Sequence, residues 1–224
     1  PMSRLFAIPP WGEVRRRLVP LFTGLVICGV AFACIVQADL GLDPWDVLHQ
    51  GVSDRTGIPI GTVSILVGVV VVLGWIPLRQ RLGLGTVANA IVIGATMDIV
   101  LPHLPEADDL RTRWILLAIG LAIAGPGIGM YIGARLGPGP RDGIMTGLAE
   151  RGPSIRLVRT GIELVALGVG FLLGGTVGIG TVLFAVTVGP NTQFWLERLD
   201  LGHPPGFEPS VDVEVDPDAT LAGS

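Results

Sequence analysis

Six apolar stretches dominate this chain, at 18–38, 61–78, 84–101, 113–134, 156–173 and 180–197. A helix needs about 20 mostly apolar residues to cross the roughly 30 Å hydrocarbon core of a bilayer. Within lipid, only a helix or a closed barrel satisfies its own backbone. Each stretch therefore predicts a membrane-spanning helix. The first and fourth are cleanest; Arg156, Arg159 and Glu163 intrude near the start of the fifth. Composition agrees, since 15% of the residues are charged and a soluble domain uses about a quarter. Many of the 33 glycines sit inside the apolar runs, where small residues let membrane helices pack closely. Arg15–Arg17 before the first run and Ala31-Phe32-Ala33-Cys34 within it resemble a cleavable leader. The run is long for a leader, however, and it has a mid-chain counterpart in 113–134.

Arginine placement orients the helices, because basic residues in short loops stay cytoplasmic. Arg15–Arg17, then Arg79 and Arg81, then Arg135, Arg141, Arg151 and Arg156 fall in alternate connections. Acids dominate the 39–60 and 102–112 connections, and 174–179 carries no charge. Six spans with both termini cytoplasmic fit throughout. The expected layout is a cytoplasmic tail at 1–17, transmembrane segments at 18–101 and 113–198, and a disordered acidic cytoplasmic tail at 199–224, rich in proline and poor in apolar residues.

The two segments read as a repeat. A shift of 96 residues aligns Leu40, Gly41, Pro44, Asp46, Gly51 and Arg55 with Leu136, Gly137, Pro140, Asp142, Gly147 and Arg151. A shift of 95 aligns Gly83, Gly85, Thr86, Val87, Ala90 and Gly94 with Gly178, Gly180, Thr181, Val182, Ala185 and Gly189. Three spans per half is an odd number, so the halves would insert in opposite orientations, the construction of many secondary transporters. The expected fold is an all-α membrane protein of two inverted three-helix repeats, each with a short extra helix after its first span.

Those short helices have clear start signals. Asp43 suits an N-cap, Pro44 the first helical position, and Asp46 the first turn, where the helix dipole favours an acid. In the second copy Gly139, Pro140 and Asp142 take these places. A helix from Pro44 to about Asp54 would be about 17 Å long, too short to span, so it lies at the interface or dips in as a half-helix. Trp45, Leu48 and Val52 share one face. The candidate pathway residues are Pro44, Trp45, Asp46, His49, Pro140 and Asp142, with the two short helices expected at opposite ends of one pathway.

Ionisable and polar residues at membrane depth suggest function or helix–helix bonding. The coupling candidates are Glu163, with Arg159 as its i,i+4 partner, Asp98 near the end of the third stretch, and Asn89. Asn191 and Gln193 are expected to bond between helices. His49, His103 and His203 form no metal constellation and read as surface histidines. Cys28 and Cys34, six residues apart, point to different helix faces and read as unpaired core residues. No metalloprotease, nucleophile-elbow or phosphate-loop motif occurs, no cofactor is implied, and no basic patch invites nucleic acid.

Gly41-Leu-Asp-Pro-Trp-Asp-Val-Leu-His-Gln-Gly51, Gly57-Ile-Pro-Ile-Gly-Thr-Val-Ser-Ile-Leu-Val-Gly68, Trp75-Ile-Pro-Leu-Arg79 and Gly83-Leu-Gly-Thr86 resemble the YczE branch of the YczE/YyaS/YitT membrane proteins over about 18–198. The resemblance implies a multi-pass protein of the bacterial cell membrane. It also implies a link to production of secreted metabolites, which suits export or regulation, and it supplies no substrate residues. The function expected is a small secondary transporter or exporter of a small molecule, not an enzyme, with the bilayer and a second copy as partners. The alternative is a membrane scaffold or regulator that binds a partner protein.

Overall fold

A computed structural model describes residues 11–78, 80, 82–149, 151–152 and 154–202. They form α1 (Trp11–Ala38), α2 (Pro44–Thr56), α3 (Ile60–Leu73), α4 (Trp75–Leu78), α5 (Leu84–Val100), α6 (Leu110–Gly133), α7 (Pro140–Ala149), α8 (Ile155–Leu173) and α9 (Ile179–Leu199). A 3₁₀ turn, Leu101–His103, extends α5. Among the described residues, four segments are long and apolar enough to cross a membrane: Trp11–Ala38, Ile60–Leu78, Leu84–His103 and Leu110–Gly133. The fifth and sixth stretches are also helices, α8 and α9, but carry more polar residues.

Two boundaries differ from expectation. Helix α1 begins at Trp11, inside the residues expected to be a tail. Glu13 pairs with Arg17 at 3.3 Å, and Val14 is buried, so the amphipathic turn continues the helix. The 61–78 stretch breaks at Gly74 into α3 and α4.

The core is the crossing of α1 and α6. A Cβ at Gly24 would lie 2.7 Å from the Gly127 oxygen and 2.7 Å from the Tyr131 nitrogen. A Cβ at Gly120 would lie 2.8 Å from the Ala31 oxygen and 3.3 Å from the Ile35 nitrogen. Partners descend on one helix as they ascend on the other, so the two pack antiparallel. At the shift of 96 residues, Gly24, Ala31 and Ile35 correspond to Gly120, Gly127 and Tyr131. The flanking contacts recur likewise: Gly29 of α1 abuts Thr96 of α5, and Gly125 of α6 abuts Asn191 of α9. Cys28 and Cys34 are buried and unpaired.

Each short helix packs on helices distant in sequence as well as on its neighbour, α3 for α2 and α8 for α7. Helix α2 packs on α8, and α7 packs on α3 and α4. The preceding turns are alike, with positive φ at Asp39 (50°) and Arg135 (53°), then at Gly41 (112°) and Gly137 (129°). Left-handed backbone is costly without glycine, so recurrence at both sites is informative. Gly180 N–H donates to the Leu40 oxygen at 2.7 Å, and Gly85 N–H donates to the Leu136 oxygen at 2.8 Å. Arg55 Nε donates to the Leu173 oxygen at 3.1 Å, and Arg151 Nη2 to the Pro77 oxygen at 3.0 Å.

These bonds gather the connections at two ends. Asp39, Arg113, Arg55 and Thr176 meet at one end. Arg17, Ala134, Arg135 and Asp200 meet at the other. There Arg17 Nη1 also donates to the Gly202 oxygen at 2.7 Å. Residues 200–202, expected within a disordered tail, are therefore held; 203–224 lie outside the described residues.

Candidate functional site: a buried ion cluster between two short helices

The start of α2 is built as its sequence demands. Asp43 Oδ1 accepts from Trp45 N–H at 2.9 Å and Asp46 N–H at 3.4 Å, and Pro44 opens the helix. Asp46 sits in the first turn, and His49 lies one turn on, with Nδ1 3.0 Å from Asp46 Oδ1. Asp43 is 3% exposed, and Asp46 and His49 are each 1% exposed. The expectation of a surface histidine is thus wrong for His49. A carboxyl three residues earlier gives its ring a partner, and α2 is packed between α8 and α3. Burial, with the Arg141 charge added, pushes His49 down to about 3. Burial therefore favours the neutral ring, whose Nδ1 shares a hydrogen bond with Asp46.

Helix α7 starts on Gly139, whose carbonyl accepts from Asp142 N–H at 3.1 Å and Gly143 N–H at 3.3 Å. Trp75 steadies this end: Nε1 donates to the Pro140 oxygen at 3.0 Å, and the ring fills the space a Gly143 side chain would take. Arg141 then reaches across. Its Nη1 lies 3.5 Å from Asp43 Oδ1, its Nη2 3.9 Å from Asp46 Oδ1, and its guanidinium 5.0 Å from the centre of the Trp45 ring. The N-terminal ends of the short helices meet, rather than marking opposite ends of a pathway. Arg141 was not singled out from sequence. A signal was present, because a cation in a helix's first turn opposes the dipole and needs an acidic partner.

Burial raises both carboxyls. Asp43 is pushed up to about 7 by burial and then by the Asp46 charge, with Arg141 opposing. Asp46 is raised by burial and countered by Arg141. Asp46 Oδ2 and Trp45 Nε1 are buried without a hydrogen-bond partner. An almost wholly apolar cleft of about 300 Å³ opens beside Trp45 and Leu48, against Ile162, Val165 and Val169 of α8.

Asp142, half-buried, faces a second polar group. Around the position a Gly139 side chain would take lie Asp142 Oδ2 at 3.1 Å, Asn89 Nδ2 at 3.6 Å and Tyr131 Oη at 3.6 Å. Asn89 and Tyr131 hydrogen-bond to each other. Burial raises Asp142, and Arg159 then Arg141 oppose it. Arg159 Nε bonds Glu163 Oε1 at 3.1 Å on the exposed side of α8. Asp98 is apart from both groups. Its oxygens accept from Gly61 N–H and Thr62 Oγ1, each at 2.7 Å, capping α3 from α5. Asn191 bonds between helices as expected, to the Leu121 oxygen at 2.9 Å; Gln193 pairs instead with Glu197 of its own helix.

The model of a family of unknown function (DUF6198) matches residues 15–197. The chain belongs to this family. Among YczE-like relatives, it is 32% identical over 181 residues to the uncharacterized membrane protein YczE of Bacillus subtilis, covering 79% of this chain and 84% of that one. An uncharacterized protein of Haemophilus influenzae is 41% identical over 197 residues, covering 88% of this chain and 90% of its own. YyaS of Bacillus subtilis is 26% identical over 167 residues, covering 71% and 82%. No solved structure matches. The expected resemblance holds, and this YczE-like chain is a membrane protein of an uncharacterised family.

Proposed function

We propose that the chain is a small secondary transporter or exporter of a small molecule in the bacterial cell membrane, with six spans arranged as two inverted repeats and both termini cytoplasmic. One observation carries this reading. Two helices too short to span meet at their N-terminal ends through Arg141, Asp43 and Trp45. Half-helices ending inside the bilayer build the sites of inverted-repeat transporters. Trp45 and Arg141 are equivalent at the shift of 96 residues, and they touch. Residues contact their own equivalents only beside a two-fold axis. The antiparallel, reciprocal crossing of α1 and α6 supports an axis in the membrane plane. Helices α8 and α9 support six spans, because each runs from one end of the bundle to the other.

Labelling with a membrane-impermeant thiol reagent tests this topology, using single cysteines in a Cys28→Ala, Cys34→Ala background. Thr56→Cys and Val177→Cys are expected to label on intact cells, and Ser154→Cys only after lysis. Thr56→Cys and Ser154→Cys labelling from one side would refute inversion, and a protected Val177→Cys would refute six spans. Asp46→Asn and Asp142→Asn should abolish complementation of a deletion strain, while Asp108→Asn retains it. The scaffold reading makes the opposite forecast: deleting 203–224, which leaves the Arg17 and Arg135 contacts in place, would then remove the phenotype while insertion persists.

A further inference from the structure

Charge balance at the meeting of α2 and α7 is incomplete. Asp43 and Asp46 bring two buried carboxyls. Arg141 brings one guanidinium, at 3.5 Å and 3.9 Å. His49 is engaged with Asp46 through Nδ1. With both carboxyls ionised and the imidazole neutral, the set carries one uncompensated negative charge. Burying such a charge is expensive. Asp46 Oδ2 is also buried without a donor. No other cation faces the pair among the described residues. Helix α3 is uncharged, and α8 presents apolar residues beside Trp45 and Leu48. The ions of α8 nearest this region, Arg159 and Glu163, pair with each other on the Asp142 side.

We propose that Asp43 and Asp46, positioned by His49, form the proton-binding site of the transport cycle, and that the bound proton loosens Arg141 and so the tie between the two short helices. This rests on the transporter reading. The step makes one O–H bond with a proton taken from water, and no other bond changes. Its consequence is mechanical. Arg141 belongs to the second half and both carboxyls to the first, so discharging the pair weakens a bond that holds the halves together at their centre. Burial already places Asp43 about 7 and His49 about 3, so a proton arriving near neutral pH goes to the carboxyls rather than the ring.

Infrared spectroscopy of the purified full chain tests the site without a substrate, by following the protonated-carboxyl band through a pH titration. A band titrating near neutral pH and lost in Asp43→Asn or Asp46→Asn is expected. Arg141→Gln keeps both carboxyls and should raise the midpoint by about 1–3 units, the reverse of what a neighbouring arginine does to an acid. It carries the test if an Asn variant does not fold. A wild-type chain with no titrating band, or a band unmoved by Arg141→Gln, overturns the proposal. The thiol-labelling pattern separates this failure from that of the transporter reading. Correct sidedness with no titrating band sinks the proton site alone. A titrating band with Thr56→Cys and Ser154→Cys on one side leaves a buried acid pair in a protein that is not an inverted-repeat transporter.

Discussion

The seam between α3 and α5 is closed, while the corresponding region between α8 and α9 is open. Gly61 and Gly94 face each other so closely that a Cβ on Gly94 would lie 2.3 Å from the Gly61 oxygen. Asp98 ties the start of α3 to α5 with two 2.7 Å bonds. At the shift of 95 residues, Arg156 stands for Gly61, Gly189 for Gly94 and Gln193 for Asp98. A Cβ on Gly161, Gly168 or Gly189 would meet no described atom within 4 Å. Leu164, Leu172 and Val186 are largely exposed, as lipid-facing residues are. Residues aligned by the shift thus share helix positions but not helix contacts. Contact needs a small residue on both sides of a seam and a polar group to bridge its end, and of the two seams α3–α5 has all three.

The sharpest way to break this comparison is to fill one glycine at each seam. Gly94→Val should destabilise the chain by about 3 kcal/mol, since backbone must shift. Gly189→Val should cost less than about 0.5 kcal/mol, as surface changes do. Unfolding in mixed micelles measures both, and equal costs would mean that α8 and α9 close like α3 and α5.

The second contrast is between caps, because Asp43 of α2 is replaced by Gly139 in α7. Burial pushes Asp43 up to about 7 in the folded chain, from 3.8 for an aspartate free in water. The folded state therefore binds more protons across that window, and stability is present below it and falls as pH rises through it. Thermal melts should lose at least about 2 kcal/mol of stability from this group across the window. Asp43→Asn should flatten the slope, whereas Gly57→Ala, whose side chain would meet open space, should leave it unchanged.

Asp98→Ala should cost about 1–2 kcal/mol, the usual value of a side-chain cap, and Gln193→Ala next to nothing. Glu163→Gln should be smallest, below about 0.5 kcal/mol, as expected for an exposed i,i+4 pair. A large loss there would mean that Glu163 supports Asp142 rather than only Arg159.

Much of the fold was legible because its causes are local. Hydrophobic length marks the helices, and Asp43-Pro44 and Gly139-Pro140 mark the short ones. The α2 cap lies where its residue types require it. The candidate site was legible only in half. Asp46 and Asp142 stood out because they align at the 96-residue shift, but Arg141 aligns with the unlike Trp45, so the alignment passed over it. Asp98 looked like an intramembrane acid because sequence does not reveal that the free N–H groups of α3 lie beside it.

By itself the sequence determined the apolar lengths, the caps, the left-handed glycines and the arginine bias, all of which act within a few residues or on the bilayer as a whole. The tertiary structure alone decided that Arg141 meets Asp43 across nearly a hundred residues, that His49 is buried, and that one seam closes while its counterpart stays open. Each of these depends on which distant backbone approaches, and that is set by the fit of whole helix faces.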